Sequence, residues 1–275
     1  MPGFDMHIHT KASDGLLDIA QIVSKAKEKD LDGIAITDHD TIAALDEAAK
    51  IKEETHFPII PGIELSAEWG NFNVHILGYW IDWKKSFLAE RLDILQQARR
   101  ERCYHIVELL EKHDMPLDAD KIIAVSGSSI GRPHIAAAML EKGYVKSSKE
   151  SFSKWIGRGM PAYVPRLKLS PFEAIEMIRE ANGVAVLAHP GVGVPEKLIP
   201  ELVIEGLSGI EVHHPDHNYQ AETKFYQIAR HYCLAALGGS DFHGHPSRVI
   251  GCRFTSLDQV ELLARRGHRQ GISLG

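Results

Sequence analysis

Short apolar runs alternate with amphipathic helical stretches at both ends of this 275-residue chain, and that alternation leaves few architectures open. Residues 4–9 read as a strand, after which Leu16, Ile19, Ile22, Val23 and Ala26 recur at helical spacing. Residues 33–37 form a second apolar run, and Ile42, Leu45 and Ala49 mark the next helix. Residues 58–65 and 72–80 read as two further strands joined through Trp69-Gly70-Asn71. The pattern returns after residue 165. Ser170-Pro171-Phe172-Glu173 is a helix start, with Ser as N-cap, Pro in the first turn and Glu closing a capping box. Asn182-Gly183 ends that helix, with Gly183 expected in the left-handed cap. Strands follow at 184–188, 208–212 and 234–237, with helices near 218–231 and 257–265. Such alternation predicts an α/β fold with a mostly parallel sheet, open or closed into a barrel.

Between the two halves the grammar changes. Residues 86–112 carry one long helical pattern, and shorter helices are expected at 118–124 and 133–141. Arg99, Arg100, Arg102, Arg132, Arg158, Arg166 and Lys168 make this stretch locally cationic. It reads as a helical insertion over 84–164, a cap on an α/β core made of 1–83 and 165–275. The whole chain carries a formal net charge of −6, which argues against broad binding to duplex DNA. Its apolar runs are too short for a transmembrane helix, so no membrane association is expected. The first residues show no secretory leader, and a cytoplasmic location is the expectation. Cys103, Cys233 and Cys252 are too few and too scattered for a disulfide framework or a CxxC zinc site.

Histidine is the unusual component, at 16 residues, and it clusters with acids where strands end. His7 and His9 share one face of the first strand, since residues i and i+2 point the same way. Asp14 follows in the loop. Thr37-Asp38-His39-Asp40 ends the second strand and Gly62-Ile63-Glu64 the third, and His75 lies in the following strand. Ala188-His189-Pro190, Glu211-Val212-His213-His214 and Ser240-Asp241-Phe242-His243 end the later ones. In parallel α/β folds the C-terminal strand ends face a single site. Independent loop caps account for Asp40, as N-cap of the helix at Thr41, and for Asp38. They do not account for five imidazoles beside apolar strands. Imidazoles and carboxylates without thiols suit Zn, Mn or Fe, and the set exceeds what one ion needs. Paired divalent ions of this kind serve phosphoester hydrolysis.

Asp5-Met6-His7-Ile8-His9, Thr37-Asp38-His39, Pro61-Gly62-Ile63-Glu64, Ala188-His189-Pro190 and Ser240-Asp241-Phe242-His243 resemble, in order, the motifs of the PHP family, named for polymerase and histidinol phosphatase. The resemblance implies a distorted (β/α)7 barrel holding three divalent ions, manganese before iron or zinc. It implies that His7, His9, Glu64 and Asp241 hold one ion, that Glu64, His75 and His189 hold a second, and that Asp14, His39 and His243 hold a third. His7, His9, Glu64, Asp241 and His243 would form the catalytic core. Some members carry His where this chain has Asp14.

Gly131-Arg132-Pro133-His134-Ile135-Ala136 further resembles stand-alone bacterial members with a helical insertion. For those the implied substrates are nucleoside 3′,5′-bisphosphates or short 5′-phosphorylated RNA, with no obligate protein partner. Arg132 and His134 at a helix start suit phosphate recognition. Arg158 and His213 are further substrate-binding candidates, with Arg166 and His214 open. Trp155 reads as core, while His105, His113, His217, His231, His245 and His268 read as surface or core histidines. A histidinol-phosphate-type monoesterase and a non-catalytic binding module are the competing readings.

Overall fold

A computed structural model of the chain describes residues 3–126, 130–165, 167 and 169–267. Arg166, Lys168 and His268 lie outside the described residues. The fold divides into two compact units, residues 1–89 with 168–275, and residues 90–167.

The first unit is a seven-stranded sheet in the order β1-β2-β3-β4-β5-β6-β7. Its strands are β1 Phe4–Asp5, β2 Gly33–Ile36, β3 Ile59–Trp69, β4 Phe72–Tyr79, β5 Val184–Leu187, β6 Gly209–His213 and β7 Ala235–Gly238. Past the two edge strands the ends meet: Ile8 bridges Phe242, and His9 N donates to Phe242 O at 2.9 Å. The sheet is thus a nearly closed barrel. Its interior is filled by Met6, Ala35, Ile60, Leu77, Val186, Leu237 and their neighbours, almost all fully buried.

Four strand pairings are parallel, while β3·β4 and β4·β5 are antiparallel. The hairpin turns at Gly70, which adopts φ +58°, so β4 runs against its neighbours. His75, early in β4, therefore reaches the same barrel end as the C-termini of the parallel strands. It pairs with Ser66, and its carbonyl accepts from Ala188 N at 3.0 Å.

Helices α1 Ile19–Glu28, α2 Leu45–Thr55, α7 Pro171–Glu180, α8 Ile199–Glu205, α9 Tyr219–His231 and α10 Leu257–Gly267 belong to this unit. The α1 cap is Asp18, in a capping box with Gln21, so Leu16 precedes the helix and is 49% exposed rather than part of its buried stripe. Ser170 and Glu173 form the expected box at α7. At that helix's end the left-handed residue is Asn182, not Gly183. Gly183 instead fills a tight spot, where a Cβ would lie 2.6 Å from Ile81. The 3₁₀ turn Glu196–Leu198 and α8 escaped the sequence reading.

The second unit contains most of α3 Ser86–Glu111, then α4 Ala119–Val125, α5 Arg132–Glu141 and α6 Ser148–Ser151, which passes into a π-helical turn at Phe152–Ile156. Cys103, Ile106, Leu110, Ile135, Met139 and Ile156 form its core, and Trp155 packs against it. No helix among the described residues is long and apolar enough to cross a membrane.

Gly62 lets β3 lie close to β4: a Cβ there would sit 2.7 Å from the carbonyl oxygen of Gly78 and 3.0 Å from that of Ile36. Both obstacles are backbone. Gly62→Ala should therefore lower unfolding free energy by about 1–3 kcal/mol in a denaturant titration, the usual cost of overpacking. An unchanged midpoint would show that the hairpin can yield.

Candidate metal centre

All nine residues singled out as ligands meet at one end of the barrel. His7 and His9 leave the end of β1, fully buried. Glu64 is equally buried and lies among them. Its Oε2 approaches His7 Nε2 at 3.2 Å, His9 Nε2 at 3.2 Å and His39 Nδ1 at 3.1 Å. Its Oε1 contacts His75 Nδ1 at 2.8 Å and His189 Nε2 at 3.1 Å. Asp241 Oδ1 lies 3.2 Å from His9 Nε2 and 3.5 Å from His7 Nε2. Asp14 Oδ1 lies 3.2 Å from His243 Nε2 and 3.7 Å from His9 Nδ1.

Four overlapping sets have ligand atoms close enough to share an ion: His9, Asp14, His39 and His243; His7, Glu64 and His189; His7, His9 and Asp241; and His39, Glu64 and His75. Among the described residues, seven buried side-chain polar atoms lack a hydrogen-bond partner, and five are His7 Nε2, His9 Nδ1, His9 Nε2, His39 Nδ1 and Glu64 Oε2. Leaving such atoms unsatisfied costs about 1–3 kcal/mol each. A divalent cation among them would relieve that cost, and nitrogen and oxygen donors without thiolate suit Mn, Fe or Zn. The residues present therefore fit the metal that the sequence implies. A cavity of about 190 Å³ opens onto Glu64, Asp241, His214 and Asp216.

The electrostatics follow from burying three carboxylates among imidazoles. Burial raises the Glu64 pKa, but the charges of His39, His7 and His75 and the hydrogen bond with His189 outweigh it and hold the group well below the usual range. Asp14 and Asp241 are lowered for the same kind of reason, against burial. Burial pulls His9 down, yet contacts with Asp241 and Glu64 and the charge of Asp14 carry it up to about 10. His7 and His189 also rise against burial, through carboxylate neighbours that include Glu211 and Glu64. His39 goes the other way, to about 4, because burial is reinforced by the charges of His9 and His75.

A further layer holds these groups. Asp38 accepts from Thr10 N at 2.7 Å and from the Ser13 hydroxyl at 2.6 Å, fixing the loop that leads to Asp14. Asp40 is not the cap of a helix: α2 starts at Leu45 without a side-chain cap, and Asp40 accepts from Ser66 N at 2.8 Å. Asp5 accepts from Ser240 N and Gly251 N, and burial pushes it up to about 6. Glu211, buried, contacts His7 Nδ1. Arg248 donates to Asp241 Oδ2 and to Asp216. Sequence reasoning gave Glu211 and Arg248 no role. Only the position of Glu211 at a strand end signalled it.

His213 does not join the cluster. Its side chain is 44% exposed, lies 3.4 Å from Glu222 and lines a separate cavity of about 580 Å³ that none of the nine residues touches. His214 faces the centre instead, with Nε2 3.4 Å from Asp241 Oδ2. His217 is a core histidine. Within the second unit, Arg132 opens α5 one position before Pro133, donates to Ile156 O at 3.2 Å and lies over the rings of Phe152 and Tyr163. His134 Nδ1 accepts from Gly131 N at 3.1 Å, and Arg158 is exposed.

Comparison with known proteins fits this geometry. The PHP domain family matches residues 5–158. The chain belongs to the PHP family. It is 35% identical over 252 residues to the 5′-3′ exoribonuclease Rnm of Escherichia coli, spanning 87% of this chain and 85% of that one. It is 33% identical over 260 residues to the 3′,5′-nucleoside bisphosphate phosphatase of Chromobacterium violaceum, covering 91% of each. A Bifidobacterium adolescentis structure assigned as a metal-dependent phosphoesterase superposes with TM-score 0.86 at 30% identity, over 99% of this chain and 98% of that one. This PHP protein is a metal-dependent phosphoester hydrolase.

An ion held by His7, His9 or His189 would have to displace the protons that their raised values keep on them. Calorimetry in buffers of different ionisation enthalpy should read proton release on metal binding at pH 7, shrinking toward pH 10. The His9 value stands above its ordinary 6.5 in the fold. Its contribution to metal-free stability is thus complete below about 6.5 and lost as pH rises through about 10. Melting temperatures of chelated protein should decline across that window, and a flat profile would contradict the charge balance described.

Proposed function

We propose that this chain removes the 3′-phosphate of nucleoside 3′,5′-bisphosphates, such as pAp to AMP, and that it also degrades short 5′-phosphorylated RNA from the 5′ end. The observation that carries the reading is the gathering of nine nitrogen- and oxygen-donor residues at one barrel end, five of them imidazoles touching the two oxygens of Glu64, in a chain similar along most of its length to a bisphosphate phosphatase and an exoribonuclease. His7, His9, Glu64 and Asp241 would hold one ion, Glu64, His75 and His189 a second, and Asp14, His39 and His243 a third, with manganese as the first choice. Bound there, the ions would make water nucleophilic at neutral pH and offset charge on the phosphoryl oxygens.

The protein's own contribution is orientation. Glu64 presents one oxygen to each side of the centre, and Asp241 presents Oδ1 inward while Arg248 and His214 engage Oδ2. Arg132 and His134 supply the grip on a second phosphate, a role supported by their place at a helix start and by the charge of the insertion. Arg158 is a weaker contributor, and His213, facing Glu222, is set aside from substrate binding.

Prolonged chelation should abolish hydrolysis of adenosine 3′,5′-bisphosphate, and manganese should restore it. Faster turnover of histidinol phosphate in the same assay would replace this reading with the monoesterase one. Inert protein in both tests would favour a binding module. Arg132→Ala should cost about 1.5–3 kcal/mol in kcat/KM on the bisphosphate, the scale of a charged hydrogen bond. The cost on a nucleoside monophosphate should be clearly smaller, and equal losses would remove Arg132 from phosphate recognition.

A further inference from the structure

Glu211 is 1% exposed, sits in β6, and touches two ligand residues that are far apart in sequence. Its Oε1 lies 3.1 Å from His7 Nδ1, and its Oε2 accepts from the backbone N–H of His189 at 2.8 Å. Space for this pairing comes from Gly239, where a Cβ would lie 2.4 Å from His7 Cβ and 3.1 Å from Glu211 Oε1. His189 itself has φ +23°, a conformation that costs a non-glycine residue about 1–3 kcal/mol and persists only when its surroundings hold it. The following turn is held from the same strand end. His217 accepts from Gly191 N at 3.0 Å and donates from Nδ1 to Val212 O at 2.8 Å.

We propose that Glu211 is a positioning residue that sets His7 for one ion and His189 for the neighbouring one, an inference that rests on the ligand set proposed above. A carboxylate accepting on both oxygens places the hydrogen of His7 on Nδ1. The Nε2 lone pair is then left for the centre, where that atom lacks a hydrogen-bond partner. The same carboxylate anchors the backbone from which His189 reaches Glu64 Oε1. Its influence falls on the two ions held through His7 and through His189, while Asp14, His39 and His243, the donors proposed for the third, lie outside its contacts.

The test is Glu211→Gln. An amide of the same shape must turn its NH2 toward either His189 N–H, where donor faces donor, or His7 Nδ1, where the imidazole can accept only by moving its proton to Nε2 and blocking the ion. Manganese affinity and stoichiometry, measured by chelator competition, should show the ions held through His7 and through His189 bound about 10–100-fold more weakly, the usual effect of losing a partner that orients a ligand. One ion should stay at wild-type affinity, and Glu211→Asp, which keeps the charge, should recover part of the loss. Full loading at wild-type affinity in a folded Gln variant would overturn the proposal, as would equal weakening at every position. If the Gln variant does not fold, 15N spectra of zinc-loaded wild-type protein decide the matter. A proton on His7 Nδ1 supports the role, and one on Nε2 overturns it. A wild-type protein that takes up no ion would instead overturn the ligand set, and this role with it.

Discussion

A carboxylate shut away from water, Glu64, touches five imidazoles, and the top of the barrel is organised by that burial. An isolated buried charge is costly unless it is paired. Here pairing comes from three strand ends through Oε2 or Oε1: β1 with His7 and His9, β2 with His39, and β5 with His189. The hairpin adds His75. Two residues before Glu64, β3 passes close to β4 and to the end of β2 at Gly62. The same antiparallel turn that breaks the regular strand–helix alternation brings His75 to the centre. The irregular part of the barrel and its most connected side chain are thus one feature.

Around this group stand carboxylates that hold protein rather than offer themselves to an ion. Asp38 and Asp40 bind backbone and hydroxyl donors of adjoining loops. Asp5 ties β1 to Ser240 and Gly251, although burial makes its charge expensive enough to lift its pKa to about 6. Three non-glycine residues at this end, Asp40, His189 and Asp241, have positive φ. Backbone strain at an active centre persists when neighbours over-determine it. Each of these residues has such neighbours: Asp40 through Ser66, His189 through Glu211, and Asp241 through Arg248 and His214. The same local contacts therefore offset both the strain and the charge burial, and they hold the donor residues in place.

Much of this was legible in the chain because strand ends and histidines are local signals. The i, i+2 spacing of His7 and His9, the Ser170–Glu173 box and the apolar runs mark where the elements lie, and the structure agrees with them closely. What escaped depends on geometry that no local window carries. Asp40 precedes an apparent helix start, yet the helix begins later and the carboxylate turns to Ser66. Gly183 looks like a left-handed cap, yet close packing on Ile81 demands glycine there while Asn182 takes the positive φ. His213 is the clearest case. By strand parity it should share a face with Glu211. Between them, however, β6 carries one residue more than β7: Glu211 pairs with Leu237 and His213 with Gly238. A bulge of this kind reverses the alternation. Glu211 and His214 face the centre, and His213 faces Glu222.

The substrate is less legible than the chemistry for a physical reason. Donors that trap divalent ions must satisfy tight distances among many atoms, so their pattern in the chain is long and specific. A phosphate grip needs only a few cations at a suitable angle, and many surface arginines would serve equally well on sequence alone. Arg132 differs from a loose surface cation in its surroundings. Its guanidinium donates to Ile156 O and lies over Phe152 and Tyr163 at 5.5 and 5.7 Å. Stacking and a backbone acceptor restrict a side chain that otherwise carries about 2 kcal/mol of rotamer entropy. Less of that freedom remains to be lost when an anion binds. Arg99 and Arg102 also donate to backbone carbonyls, those of Ile130 and Val164, so it is the two rings beside Arg132 that set its restriction apart and that would favour it as the proposed phosphate grip.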